Sequence, residues 1–340
     1  MRWSIIAKGG YPMSAIAISL GDPAGIGPEI TAKAWDARDR HRLAPFFAVG
    51  DPRSVQAVWG GNVVRITDPG EARVAFRIGL PVLSIEDAGE IVPGRPDLEG
   101  ARCSLDALEV AAGIARSGAA SALVTAPVSK AQLYAVGFRH PGQTEFVAER
   151  CGVSTENAVM LLAGPSLKVV PITTHVALRT VADLLSIDLI VGKSLATARG
   201  LTRNFGIARP RLAFAGFNPH AGENGALGRE EIDLLIPAIE ILRAQGIDVI
   251  GPLAADTMFH KRARAHYDVA MCLYHDQALI PLKTLHFDEG VNMTLGLPFV
   301  RTSPDHGTAF DIAGTGTAEP GAMIAAIRMA SSAAKHRTTA

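Results

Sequence analysis

The sequence predicts an α/β protein with a largely parallel sheet. Short apolar, β-branched runs recur along the chain, and alanine-rich stretches with three-to-four-residue apolar spacing separate them. The runs are SAIAISL (14–20), PFFAVG (45–50), ASALVTAP (120–127), LKVVPIT (167–173), RLAFAGF (211–217), IDVIGP (247–252) and YDVAMCL (267–273). The run Val269–Leu273 has the length and apolar character of a strand buried on both faces, although periodicity alone does not separate it from a buried helix segment. Between the runs, SLDALEVAAGIARSG and REEIDLLIPAIEILRAQG carry amphipathic-helix spacing and finish near glycine. At 340 residues the chain has room for two domains of about 100–200 residues each. No repeat, low-complexity tract or polar linker marks a boundary, which predicts two tightly joined lobes with a cleft between them.

Composition removes several function classes. Lysine plus arginine equals aspartate plus glutamate, 33 each, so no basic surplus favours nucleic acid or an acidic membrane surface, and any anion site is local. Cys103, Cys151 and Cys272 are far apart with no CxxC pair, the usage of a reducing compartment, which makes the cytoplasm the default. The N-terminal apolar segment SIIA is far shorter than the ~7–15 residues of a signal-peptide core. The first twelve residues therefore read as a short extension, with Met13 as an alternative start. No stretch approaches the ~18 uninterrupted apolar residues of a membrane span.

Three histidines share one context, each shortly after a strand: His175 ends LKVVPITTH, His220 ends RLAFAGFNPH, and His275 follows VAMCLY. Ligands in open α/β sheets gather at strand carboxyl ends, and three imidazoles suit a divalent transition metal. Alternatively they are unrelated histidines satisfied by caps and backbone, since no local motif such as HExxH is present. Asp256, in GPLAADTMF, and Asp276, beside His275, are candidates to orient a histidine or take a proton; Asp256 equally suits a helix N-cap. Lys283, Asn292 and Arg301 lie among apolar residues rather than in a charge run, and their donors suit a phosphate. SLGDPAGIGPEI (19–30) is strand, glycine-rich turn and helix, but spells neither GxGxxG nor GxxxxGK[ST], so it reads as a tight turn.

Taken together, SLGDPAGIGPEI, TAPVSKAQL, PGQTEF, TTHVALR, NPHAGENGALGREE, GPLAADTMF and YHDQALIPLKTLHFDEGVNMTLGLPFVRTSPDHGTAFDIAGTG resemble the 4-hydroxythreonine-4-phosphate dehydrogenase family of pyridoxal phosphate biosynthesis, from about Ser14 to the final helix. The resemblance implies a fold like that of isocitrate and isopropylmalate dehydrogenases. Residues 1–135 with 300–340 would form one α/β/α lobe, and 136–299 the other. It implies a homodimer that uses NAD or NADP and one divalent metal per site, with zinc, magnesium, cobalt and nickel all open. The metal ligands fall on His175, His220 and His275, with His275 at the position contributed by the partner chain. Substrate contacts fall on Gln143, Thr144, Lys283, Asn292 and Arg301. HGTAFDIAGTG looks like the HGSAPDIAG loop that holds the adenosine part of NAD in the decarboxylating dehydrogenases, which places His306, Gly307 and Asp311 at the cofactor. The family commonly reads GHTE where this chain has Gly142-Gln143-Thr144-Glu145, so the exact substrate is less fixed than the reaction class. The reaction implied is oxidation of 4-phosphohydroxy-L-threonine at the C3 hydroxyl, then decarboxylation to 3-amino-2-oxopropyl phosphate. The metal would stabilise the alkoxide and Asp256 or Asp276 would act as base. The alternative is a paralogue that oxidises 4-phospho-D-threonate or 4-phospho-D-erythronate.

Overall fold

The computed structural model describes residues 14–85, 88–154 and 156–339; the N-terminal extension and Met13 lie outside them. Twelve strands form one sheet: β1 (Ile16–Ser19), β2 (Phe46–Gly50), β3 (Val63–Ile66), β4 (Leu80–Ser84), β5 (Ala122–Thr125), β6 (Val159–Gly164), β7 (Leu167–Pro171), β8 (Arg211–Ala215), β9 (Asp248–Leu253), β10 (Val269–Cys272), β11 (Val291–Leu295) and β12 (Val300–Pro304). Their order is β3-β4-β2-β1-β5-β12-β11-β6-β7-β10-β8-β9. All seven apolar runs are strands, and the fold is α/β as expected. The two lobes share this single sheet rather than owning one each. Strands from 1–135 and 300–340 occupy one half, and strands from 136–299 the other. We propose the lobe boundary at that midline.

Strand direction changes at the midline. β12 pairs in parallel with β5, but β12–β11, β11–β6 and β6–β7 are all antiparallel. Three reversals in succession leave the set β7, β10, β8, β9 running opposite to the set β1 to β5. The centre of the sheet is therefore a topological switch, where loops from two oppositely directed parallel sets can meet.

Alternation along the strands builds a core on each face. On β1 and β2, Ile16, Ile18, Phe46 and Ala48 enter one apolar cluster, whereas Ala17, Phe47 and Val49 enter the other with the helix Leu98–Ser117. The first cluster continues through Val169, Phe214 and Met271 into the far half of the sheet, so the lobes share a core as well as a sheet.

The glycine-rich turn after β1 is a packing device. Gly21 has φ +71°, and a Cβ there would lie 2.2 Å from the Pro127 carbonyl oxygen, so the turn reaches the segment after β5 only because it lacks a side chain. The Ile26 N–H donates to the Thr308 carbonyl at 3.0 Å, which ties this turn to the 304–316 loop. Asp22 is buried in the same turn, its Oδ1 accepting from the Ala24 N–H at 3.0 Å. Burial raises its pKa from 3.8 to about 6 against that hydrogen bond, with Asp97 adding to the rise.

An acid that holds its proton more tightly when folded disfavours folding once the unfolded chain ionises. The penalty is absent below pH 3.8, grows up to about pH 6 and is constant above. Asp22→Asn keeps the acceptor and removes the charge, so it is expected to stabilise the protein by up to about 3 kcal/mol at pH 7.5 and by much less at pH 4.5. Urea unfolding at the two pH values measures this; equal gains at both would show that Asp22 carries no burial penalty.

Candidate active site

A cavity of about 450 Å³ opens over the sheet midline. Its walls come from the end of β5 (Thr125, Ala126), the first turn of the helix Gln143–Arg150, and the central strands through Leu162, Asn292, Arg301 and Ser303. His175 and His275 close one side, and His306 and Gly307 stand on the same lining.

Arg301 dominates the electrostatics. It is 3% exposed, and its guanidinium donates to Thr125 Oγ1 at 2.6 Å, Thr144 Oγ1 at 3.1 Å and Thr294 Oγ1 at 3.1 Å. Among the described residues it forms no ion pair, and its Nε has no partner. Burial pushes its pKa down to about 10, partly countered by Glu145, so it stays charged at neutral pH. A buried cation held by hydroxyls alone is under-compensated and favours an anion beside it. The N-terminus of the helix Gln143–Arg150 adds backbone donors on the same side.

Gln143, the departure from the family pattern, is anchored by its Nε2, which donates to the Ala126 carbonyl at 3.1 Å. That carbonyl accepts and does not donate, which fixes the amide orientation and leaves Oε1 as a buried acceptor without a partner among the described residues. Asn292 Oδ1 is likewise buried and unpartnered. Lys283, expected at the phosphate, does not line the cavity; its Nζ lies 3.1 Å from Oδ2 of Asp305, which does. Its charge is already engaged.

The histidines divide two and one. His175 follows β7 and His275 opens the helix His275–His286, and their ring centroids are 5.6 Å apart within one chain. His275 Nδ1 lies 2.7 Å from Asp276 Oδ1, an arrangement that leaves Nε2 free as a ligand. Burial, then the Lys130 ammonium and His275, lower the His175 pKa, which favours the neutral, ligating form. This donor set fits part of a metal site. The third imidazole is elsewhere: His220 is 68% exposed and does not line the cavity, and among the described residues no three His, Cys, Asp or Glu side chains form a metal-holding group. Its backbone is exceptional. His220, Ala221, Gly222, Glu223 and Asn224 all have positive φ, from 43° to 78°, a left-handed turn that costs ordinary residues about 1–2 kcal/mol each.

Other expected residues lie apart from the cavity or only partly reach it. Asp256 is exposed in the 3₁₀ turn Ala255–Thr257, makes no cap and lies outside the cavity lining, so it is not placed as a base there. Asp276 is 71% exposed and engaged with His275, a position for orienting the ring rather than for taking a substrate proton. In the cofactor loop, His306 and Gly307 reach the cavity, whereas Asp311 lies exposed further along it. Sequence reasoning missed Lys130, Glu145, Thr125 and Ser303, all of which line the cavity. Lys130 follows β5 as His275 follows β10, so the strand-end rule applied to TAPVSKAQL carried the signal that would have found it.

A cavity of mixed polar and apolar lining at a switch in strand direction suits an α/β enzyme, and similarity to known proteins defines the class as oxidoreductase. Residues 43–330 match the family described as pyridoxal phosphate biosynthetic protein PdxA, and the chain belongs to that family. The 4-hydroxythreonine-4-phosphate dehydrogenase of Zymomonas mobilis is 56% identical over 325 residues, covering 96% of this chain and 97% of the relative. The enzyme of the same name from Erythrobacter litoralis is 54% identical, covering 97% and 100%. The crystal structure of 4-hydroxythreonine-4-phosphate dehydrogenase from Klebsiella pneumoniae superposes with a TM-score of 0.85 at 39% identity, covering 94% of this chain and 99% of that one.

The Gln143 anchor is testable without substrate. Gln143→Leu strands the buried Ala126 carbonyl and is expected to cost about 1–3 kcal/mol in urea unfolding, whereas Gln143→His, which can still donate, should cost less. Equal losses would show that the Gln143–Ala126 bond contributes nothing.

Proposed function

We propose that this oxidoreductase oxidises 4-phosphohydroxy-L-threonine at its C3 hydroxyl with NAD or NADP and a divalent metal, and that decarboxylation to 3-amino-2-oxopropyl phosphate follows. The observation that carries the reading is Arg301, a buried guanidinium with no acidic partner among the described residues, facing a cavity sized for a small phosphorylated acid. Arg301, the Thr144 hydroxyl and the helix N-terminus at Gln143 hold the phosphate. The free Asn292 and Gln143 oxygens accept from the substrate's amino or hydroxyl groups. His175 and His275 would hold the metal, with Asp276 orienting the His275 ring. A bound metal would supply Lewis-acid chemistry at the substrate hydroxyl, and a bound nicotinamide would supply the hydride acceptor. Lys130 and Glu145, in the same lining, take the proton-transfer role first given to Asp256 and Asp276. His306 and Asp311, along one exposed loop, offer an imidazole and a carboxylate to the adenosine end of the cofactor.

A spectrophotometric assay of nicotinamide reduction, run on phosphorylated and unphosphorylated four-carbon hydroxy acids with and without divalent metal, tests this reading. The expected result is turnover only with phosphate and metal present, highest with 4-phosphohydroxy-L-threonine. Highest turnover with 4-phospho-D-threonate or 4-phospho-D-erythronate would assign the catabolic reaction instead, and no reduction with any acid would defeat the dehydrogenase reading for this chain.

The approach of His175 to His275 within one chain supports a different subunit assignment. In a homodimer that shares its metal site, His220, not His275, comes from the partner. Mixing His175→Ala and His220→Ala dimers under exchange then rebuilds one intact site in each heterodimer and should restore activity. Mixing His175→Ala with His275→Ala should restore none. Recovery from the second mixture and not the first would return His275 to the partner.

A further inference from the structure

The turn that carries His220 is braced from behind by one carboxylate. Glu231 opens a π-helical turn, Glu231–Leu235, that directs its side chain inward, where it is 2% exposed. Its Oε1 accepts the Asn218 backbone N–H at 2.7 Å, and its Oε2 accepts the Asn218 side-chain amide at 3.0 Å. Glu230 takes the same amide nitrogen at 2.6 Å, so both amide hydrogens are used and the amide orientation is fixed. Gly222 sits where a Cβ would approach Glu231 Oε2 to 2.6 Å, which places the carboxylate in the hollow of the left-handed turn. Among the described residues no cation pairs with Glu231. A buried, unpaired carboxylate is costly unless hydrogen bonds use its charge, and here they fix Asn218, two residues before the left-handed turn begins. The opposite side of the turn shows His220 to solvent, outside its own chain's cavity.

We infer that Glu231 is a positioning residue: acting through Asn218, it holds the left-handed turn so that His220 stands out from its own chain as a ligand for a divalent metal bound by His175 and His275 of a second copy. This rests on the metal reading proposed above. Without the brace, the five positive-φ residues relax toward ordinary backbone, and the imidazole leaves its ligating position while the sheet remains intact.

The test uses Co²⁺ alone as the probe. Full-length protein stripped with chelator is titrated with Co²⁺ while visible d–d absorption, thermal stability and sedimentation are followed. Wild type should bind one Co²⁺ per chain. Glu231→Gln keeps the volume but sets an N–H₂ against the Asn218 amide, and should weaken Co²⁺ binding about 10- to 100-fold with the oligomeric state retained. Asn218→Ala, the milder change, should do the same, and it decides the matter if Glu231→Gln fails to fold. Asp233→Asn, which breaks only the surface pair with Arg229 at 2.8 Å, should leave affinity unchanged. Folded Asn218→Ala protein with wild-type Co²⁺ affinity would overturn the positioning role. Wild-type protein that binds no Co²⁺ would overturn the metal reading on which it rests.

Discussion

The centre of the molecule is organised around one buried charge. Arg301 sits on β12, at the midline of the sheet, and the hydroxyls that surround it come from β5, from β11 and from the helix Gln143–Arg150. Withdrawing a guanidinium from water costs several kcal/mol, and three neutral hydroxyls repay only part of that. The remainder persists as a standing attraction for an anion in the cavity. The same contacts draw together segments that lie up to 176 residues apart in sequence, so the arrangement that prepares the site also fixes the junction of the two halves.

The polar groups that hold and those that act are supported differently. Arg301, Asn292 and Thr125 are on strands, where the ladder sets their position. His175 and His220 are on backbone with φ of 32° and 53°, conformations that persist only when the surroundings impose them. Strain of that kind directs a short side chain where a relaxed loop would not. His275 needs none, because it begins a helix and Asp276 beside it fixes the ring.

Strands such as Val269–Cys272 are legible because burial on both faces leaves an uninterrupted apolar run. β11 and β12 were not singled out because Asn292, Thr294, Arg301 and Ser303 interrupt that pattern, and the substitutions that hide these strands are the ones that build the cavity. Edge strand β3 is half exposed and gives a weak signal for the ordinary reason. Of the residues that follow strands, His175 and His275 line the cavity, whereas His220 and Asp256 do not. Lys130 was passed over because a lysine opening a helix reads as a solvated one. Asp256 follows β9 yet lies outside the cavity, because nearness to a strand end does not say to which side a loop turns. The reversal of direction at the midline, which decides that question, depends on which strands pair, and pairing is a long-range property.

The unbroken ladder through β5, β12, β11 and β6 limits how the protein can move. A jaw-like opening about the midline would have to tear main-chain hydrogen bonds in the middle of a sheet whose apolar core is continuous on one face. The soft coordinate of a long sheet is torsion, since each strand can rotate slightly against the next without losing its partners. Summed along the sheet, small rotations between neighbours would displace the outer loops more than the centre. Molecules would then enter and leave as the sheet winds and unwinds around a nearly stationary Arg301.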